Sequence, residues 1–407
     1  MMLRSLVGAC LLSSSVLMQA AIAGEARSLQ VVVSKSQQTL SLYADGDVIA
    51  TSHVSTGKSG HETPSGIFSI LDKRKYHESN IYSAAPMPFM QRLTWSGIAL
   101  HEGHVPNYPA SHGCIRLPAK FAKSLYGMTS RGVHVIVSNE DVLLRRIEHP
   151  ALLQPKSADE GRLLSDVEMR PASFDSSLKL VEVAVNEKTS SVPASVTVPK
   201  SSGAPLRILI TRRGDREKIM DVQRFLTNLG FDAGAADGYA GQMTISAVNS
   251  YKRWKGMKTT GPLLTDEFID ALYVSTGADA PPNGQLMVRQ NFKPLFEAPI
   301  HIKDPHVALG THFFEVIDID GEKAEWNGLT LENHLPNAAR KRLGIDVSDA
   351  PGGYDQLSAV LDRIEIPADV RERLEEQLSV GSSITVSDLS HGLETGQGTD
   401  FVTVTRD

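Results

Sequence analysis

The sequence predicts a multidomain protein, with a β-rich domain first, a small three-helix domain next and an α+β domain towards the C-terminus. At 407 residues the chain is too long for one ordinary domain, and roughly two to four are expected. Between residues 28 and 139 short β-branched runs alternate with turn residues, whereas from Arg216 to Gly277 the apolar residues return at helical spacing. Further on, Ile364 to Asp388 reads as strand, helix and strand. The formal net charge of −6 is mild, so neither nucleic acid nor an anionic membrane surface is implied as a partner.

Arg4, the apolar run from Leu6 to Ile22 and the triplet Ala21-Ile22-Ala23 before Gly24 predict a secretory signal peptide over residues 1–23. The run is short and ends in small residues, so no stable membrane anchor is expected after cleavage. Cys10 lies within it and would be removed; its use as a lipidated residue is disfavoured by the very short apolar stretch before it. Cys114 is then the only cysteine of the mature chain. Oxidising compartments favour paired cysteines, so an unpaired one in an exported protein reads as a retained reactive thiol.

In the β-rich region, Gln30 to Val33 is β-branched, Thr39 to Tyr43 alternates, and Asp45-Gly46-Asp47 is a hairpin-type turn into Val48-Ile49-Ala50. A glycine- and charge-rich loop follows Val54 to Gly57 and leads into Thr63-Pro64-Ser65-Gly66-Ile67-Phe68. The long loop from Asp72 to Arg92 reads as a lid or cleft wall, with Tyr82, Met87 and Phe89 as candidate substrate-binding residues. Trp95 to Leu100 reads as a strand delivering His101 to its end, Pro118 to Tyr126 as a short helix, and Val133 to Val137 as a last strand.

Everything in this region leads to residues 101–116, HEGHVPNYPASHGCIR. A cysteine becomes a nucleophile as its thiolate, which needs a nearby base, a positive charge or oriented N–H groups. His101 and His112 are candidate proton acceptors, with His104 between them, and Arg116 adds fixed positive charge. The turn at Gly113 can bring backbone N–H groups to a thiolate or an oxyanion. Pro106, Pro109 and Gly113 place the cluster on a loop. One isolated cysteine or histidine is usually structural, but burying this many polar groups together without partners is costly. The histidines show no metal-ligand spacing with Cys, Asp or Glu, so no metal and no cofactor is expected.

The run Ser111-His112-Gly113-Cys114-Ile115-Arg116, preceded by Leu100-His101 and by the strand, turn and TPxG pattern ending at Gly66, resembles the signature of the L,D-transpeptidase catalytic domain, a bacterial cell-wall family. The resemblance implies Cys114 as nucleophile, His101 as general base and acid, and Ser111, His112, Gly113 and Arg116 lining the site. It extends over residues 28–139. The loop between His101 and Cys114 is shorter than in many relatives.

Residues 140–213 fit an exposed linker with short strands. In residues 214–277, Ile219, Val222, Leu226 and Leu229 share one helical face; Thr244 to Trp254 is a second helix and Thr265 to Leu272 a third. With the turn Asp237 to Gly241, this pattern resembles a three-helix peptidoglycan-binding domain. The competing reading is a helical spacer. In residues 283–407, Ile364 to Asp388 lies without a gap on Ile115 to Asn139, and Gln285 to Phe314 is a looser echo of Gln30 to Phe68. This suggests a degenerate repeat of the catalytic domain, with Arg363 at the position of Cys114 and Glu365 at that of Arg116; chance likeness of β-rich segments is the alternative.

The resemblances imply attack of Cys114 on peptidoglycan tetrapeptide stems, release of D-alanine, and 3→3 cross-linking in the periplasm at the cell wall, with stem peptides and glycan as partners. The alternatives are an L,D-carboxypeptidase, a thiol hydrolase of peptidoglycan-linked peptides, or a non-catalytic peptidoglycan-binding scaffold. The sequence leaves the oligomeric state open.

Overall fold

The computed structural model describes residues 28–79, 84–156, 203–278, 280–331, 335–346, 356–392, 394–396 and 398–405. The expected signal peptide, Tyr82 and residues 157–202 of the expected linker lie outside the described residues.

The first region holds β1 (Leu29–Ser34), β2 (Thr39–Ala44), β3 (Asp47–His53), β4 (Ser65–Ser69), β5 (Asp72–Arg74), β6 (Met90–Arg92), β7 (Ala99–Glu102), β8 (Ile115–Leu117), α1 (Ala119–Met128) and β9 (His134–Ser138). Strands β4, β9, β1, β2 and β3 lie side by side in that order, while β5 to β8 form a separate four-stranded sheet. The β2–β3 hairpin turns through Asp45 and Gly46, at φ +53° and +90°, the geometry that keeps the strand twist through a two-residue turn. Alternation along β1 divides its side chains. Val31 and Val33 join Leu100, Ile115, Leu117 and α1 in one core, while Val32 faces the other way with Tyr43, Ile67 and Ile136. A β-branched run without polar alternation is the mark of a strand covered on both faces, and β1 is covered on both.

The stretch Trp95 to Leu100 departs from its expected strand. Residues 94–97 form a turn, in which the Ile98 N–H donates to Thr94 Oγ1 at 3.0 Å, and the strand begins at Ala99. The exposed Trp95 and the serine and glycine after it favour that turn over a ladder.

The rest of the chain builds β10 (Arg145–Ile147), β11 (Leu206–Arg212), α2 (Asp215–Asn228), α3 (Gln242–Trp254), α4 (Asp266–Thr276), β12 (Gly284–Gln290), β13 (Lys293–Ile302), β14 (Thr311–Asp320), β15 (Lys323–Leu331), α5 (Asn337–Leu343), α6 (Gln356–Leu361), β16 (Ile364–Glu365), α7 (Ala368–Glu375), β17 (Ser383–Ser387) and β18 (Thr403–Thr405). The second sheet contains the run β14-β17-β11-β12-β13, the same order as β4-β9-β1-β2-β3. The senses match as well: β9 and β17 pair parallel with β1 and β11, and the other neighbours are antiparallel. Both sheets carry a register shift at the same place, between Leu42 and Tyr43 in one and between Val288 and Arg289 in the other. Helices α1 and α7 both start after a proline, Pro118 and Pro367.

This topology corrects two expectations. The stretch 140–213 is more than a linker: its end, Leu206–Arg212, is the central strand β11, with Leu206 and Ile208 to Ile210 buried. Strand β11 pairs with β17 as β1 pairs with β9, so the counterpart of Gln30 is Arg207, not Gln285, which lies on the next strand. The second sheet therefore begins upstream of residue 283, and the helices are inserted between its first two strands. Where β1 and β2 are joined by residues 35–38, β11 and β12 are separated by α2, α3 and α4. Those helices pack around Val222, Leu226, Val248, Tyr251, Phe268 and Leu272. The buried Gln223 amide fixes the Asp237–Tyr239 turn, donating to Asp237 Oδ1 and accepting from the Gly238 N–H.

The two sheets meet through Val32, Tyr43, Ile67 and Ile136 on one side and Phe313, Leu329 and Leu331 on the other. Beside this contact the buried Glu315 accepts hydrogen bonds from Ser28 Oγ at 2.8 Å and His134 Nδ1 at 2.9 Å. After β17 the chain returns, and β18 pairs with β4 at the edge of the first sheet. That approach requires Gly66: a Cβ there would stand 2.1 Å from the Thr403 carbonyl oxygen. No helix among the described residues is long and apolar enough to cross a membrane.

Candidate active site

The parallel pairing of β7 with β8 assembles the site. Leu100 pairs with Ile115 and His101 with Arg116. Leu100 and Ile115 are fully buried in the core, so alternation sends His101, Arg116 and, one step before the strand, Cys114 to the opposite face. That face opens into a cleft of about 280 Å³ that contains all three, together with Ser111, His112 and Met87. His77, Arg92, Gly97, Ala99 and His104 also line it.

His101 is buried, and its Nδ1 lies 2.7 Å from the Glu102 carbonyl oxygen. A carbonyl only accepts, so Nδ1 carries the proton and Nε2 keeps its lone pair. Burial lowers the imidazole pKa to about 4, against a raising effect of the Glu102 carbonyl and with help from the Arg116 charge. Cys114 Sγ donates to the Gly97 carbonyl oxygen at 3.4 Å. Burial raises the thiol pKa, while a hydrogen bond from the Ala99 backbone and the charges of Arg116 and Arg92 pull it back. Near neutral pH the thiol and the imidazole are therefore both uncharged.

The Ser111–Cys114 turn is tied internally and to the neighbouring loop. Ser111 Oγ donates to the Cys114 carbonyl and accepts from the Gly113 N–H at 3.1 Å, and Thr63 Oγ1 donates to the Gly113 carbonyl at 2.7 Å. Gly113 sits at φ +114°, where any Cβ would also lie 2.8 Å from Ile98 Cδ1. Its N–H is thus engaged by Ser111 rather than turned to the cleft, a difference from the expected oxyanion role. Exposed His112 stacks edge-on against His61, ring centroids 4.7 Å apart. Arg116 lies over Gly103, whose added Cβ would come within 3.0 Å of Arg116 Cγ.

Not every candidate lines the cleft. Met87 does, but Phe89 turns to the core and packs edge-on against Tyr126 at 5.8 Å, because its left-handed backbone, at φ +54°, swings the side chain away. His77 and Arg92 come from the loop read as a cleft wall, though neither was singled out there. Gly97 and Ala99 line the cleft from the turn before β7 and its start, and His61 meets His112, with no sequence signal for these three. Arg92 Nη2 lies 3.4 Å from His77 Nε2, and its guanidinium lies 5.7 Å from the Trp95 ring. Among the described residues no group of three or more His, Cys, Asp or Glu is placed to hold a metal ion.

At the equivalent point of the second sheet, Arg363 occupies the position of Cys114, and its guanidinium donates to the carbonyls of Lys303, Asp304, Val307 and Ala308 at 2.7 to 3.1 Å. Beside it the buried Arg212 donates to Asp388 Oδ1 at 2.7 Å, and Asp388 accepts from the Leu309 and Gly310 N–H groups at 2.9 Å.

Comparison with known proteins agrees with the motifs. Residues 28–137 match the family model of the L,D-transpeptidase catalytic domain, and residues 215–263 match that of a peptidoglycan binding domain. Similar solved structures include an L,D-transpeptidase from Mycobacterium smegmatis, 26% identical, covering 28% of this chain and 59% of that one at a TM-score of 0.26. An L,D-transpeptidase from Stackebrandtia nassauensis is 31% identical over 31% of this chain and 62% of its own, at a TM-score of 0.26. One from Mycobacterium tuberculosis is 24% identical, covering 28% of this chain and 58% of that one at 0.26. The chain thus spans less than two thirds of the solved structures it matches. No curated protein matches it.

Proposed function

We propose that this chain is a cysteine-dependent L,D-transpeptidase of peptidoglycan, exported to the periplasm and held at the cell wall. The observation that carries the reading is the β7–β8 pairing, which turns His101, Cys114 and Arg116 into one cleft with the His101 tautomer set by the Glu102 carbonyl.

In this reading a tetrapeptide stem enters with the carbonyl of the L-centre of its diaminopimelate facing Cys114. His101 Nε2 takes the thiol proton as sulfur attacks that carbon. The Cys114 N–H, next to the reacting sulfur, meets the oxyanion, while Arg116 supplies positive charge. The bond to D-alanine breaks, the leaving amine takes the proton from His101, and a thioester remains. The side-chain amine of a second stem then attacks the thioester carbon, its proton passes through His101 to the departing sulfur, and a 3→3 cross-link is left.

The helices inserted in the second sheet are read as the glycan-holding part, in agreement with the match over residues 215–263. The second sheet is read as a degenerate copy of the catalytic domain. Its matching strand order supports common origin, and Arg363 with its four carbonyl partners supports loss of catalysis.

The test is intact-mass spectrometry of the mature protein with a disaccharide-tetrapeptide and, separately, a carbapenem. A covalent adduct on the wild type but not on Cys114→Ala, with D-alanine and a dimeric muropeptide released, is expected. D-Alanine without dimer would instead mean a carboxypeptidase, and no adduct with retained binding to sacculi would leave a scaffold.

A further inference from the structure

The nucleophile rests on a support that ends far from it in sequence. Cys114 Sγ donates to the Gly97 carbonyl, and Gly97 closes the exposed turn 94–97. The backbone N–H groups of Trp95 and Ser96 on that turn point outward, and both donate to one carboxylate: Glu394 Oε2 accepts from Trp95 at 2.6 Å and Oε1 from Ser96 at 3.2 Å.

Glu394 is carried by the chain that returns from the second sheet. Its loop is closed at the base by the Gly392 N–H donating to the Val402 carbonyl at 2.7 Å, and by the Val402 N–H donating to Thr395 Oγ1 at 3.0 Å. Val402 is buried in the core of the first region, while Phe401 packs with Leu209 and Met287 of the second sheet. Arg289 Nε donates to the Thr399 carbonyl at 3.1 Å, and β18 then joins β4. The carboxylate is therefore presented from a loop fastened to both sheets.

We infer that Glu394 is a positioning residue for Cys114, a clamp that fixes the Trp95–Gly97 turn and through the Gly97 carbonyl sets the orientation of the thiol. The inference rests on Cys114 being the nucleophile. It gives the return of the chain to the first sheet a role in catalysis: two N–H groups are held by one charged acceptor in a bidentate contact, stronger and more directional than water would supply. Small displacements of a reacting group cost rate steeply, by about 100-fold for roughly 1 Å. Loosening the turn costs less, about tenfold.

The test compares wild type, Glu394→Gln, Glu394→Asp and the remote surface control Glu322→Gln, each as the full mature chain. Carbapenem acylation of Cys114 separates the maximal rate constant from the half-saturating concentration, and iodoacetamide alkylation of Cys114 is followed against pH. Glu394→Gln is expected to lower the maximal acylation rate about tenfold with half-saturation unchanged. Its alkylation midpoint is expected to move to lower pH, since a thiol that loses the Gly97 acceptor is less favoured as the neutral form. Glu394→Asp recovers part of both effects, and thermal melting stays near that of the control. A rate and midpoint equal to those of Glu322→Gln overturn the clamp. If the wild type is not acylated, the transpeptidase reading fails, and the alkylation midpoint alone decides the clamp.

Discussion

The two sheets share a strand order and a bulge position, yet they treat the same point of the fold in opposite ways. Next to the first, just before β8 in the separate four-stranded sheet, stands Cys114, with a cleft in front of it. In the second, the residue before β16 is Arg363, whose guanidinium fills its surroundings with four hydrogen bonds to carbonyl oxygens. His101 on β7 and His312 on β14 are both buried with the pKa lowered to about 4, chiefly by burial, and His101 shares its cleft with Cys114. His312 uses both nitrogens, Nδ1 against Thr330 Oγ1 and Nε2 against the Leu309 carbonyl. One strand order thus frames two kinds of surroundings, and what differs is whether the polar atoms at that point open on a cleft or are bonded to one another.

The largest effect that tests this contrast comes from the two histidines. His101→Gln is expected to slow Cys114 acylation by about 10³-fold, the scale of a lost general base, whereas His312→Gln leaves the rate unchanged. Adduct formation followed by mass spectrometry reads both. Equal losses would mean that the second sheet takes part in the chemistry.

The pH profile sharpens the same point. His101 works only as the neutral base, so the rate should fall as pH drops through about 4 and stay near its plateau at pH 5.5. An acid limb at the ordinary histidine position near pH 6.5 would show that the base is not the buried His101.

Arg363→Ala removes four hydrogen bonds from a charged donor and should destabilise the protein by about 3 kcal/mol in urea unfolding, with the acylation rate of the folded protein retained. Unchanged stability would remove the structural role given to this guanidinium.

The smallest effect lies between the sheets. Burial lowers the pKa of His134, outweighing the neighbouring Glu315 carboxylate. A histidine kept neutral when folded binds its proton more readily when unfolded, so stability is full above about pH 6.5 and declines as pH falls below it. His134→Gln should flatten that decline in melting curves taken across pH; an unaltered slope would mean that other groups set it.

Much of the site was legible because it is local. Ser111 to Arg116 is one turn and the start of one strand, so a short motif carries it, and His101 lies on the adjacent parallel strand. What the sequence hid comes from elsewhere: His61 from the loop before β4, and Glu394 from far along the chain. No spacing rule links such residues, since only the fold brings them together. Phe89 failed for a local reason, a left-handed backbone that its residue type does not announce. The second sheet was half visible. The gapless alignment of Ile364 to Asp388 on Ile115 to Asn139 falls on β16, α7 and β17 against β8, α1 and β9. The upstream alignment started one strand late because three helices separate β11 from β12.

That insertion has a mechanical consequence. The helices leave the sheet from the same end of two adjacent strands, so a force on them pulls β11 and β12 together along their length. Strand β11 is hydrogen-bonded on its far side to β17, and β12 to β13. The load therefore acts in shear, on whole ladders at once, and not by peeling one bond after another. A region grafted into a hairpin in this way is a stiff coupling, able to pass a pull on the helices into the body of the protein, where a single flexible tether would let it slacken.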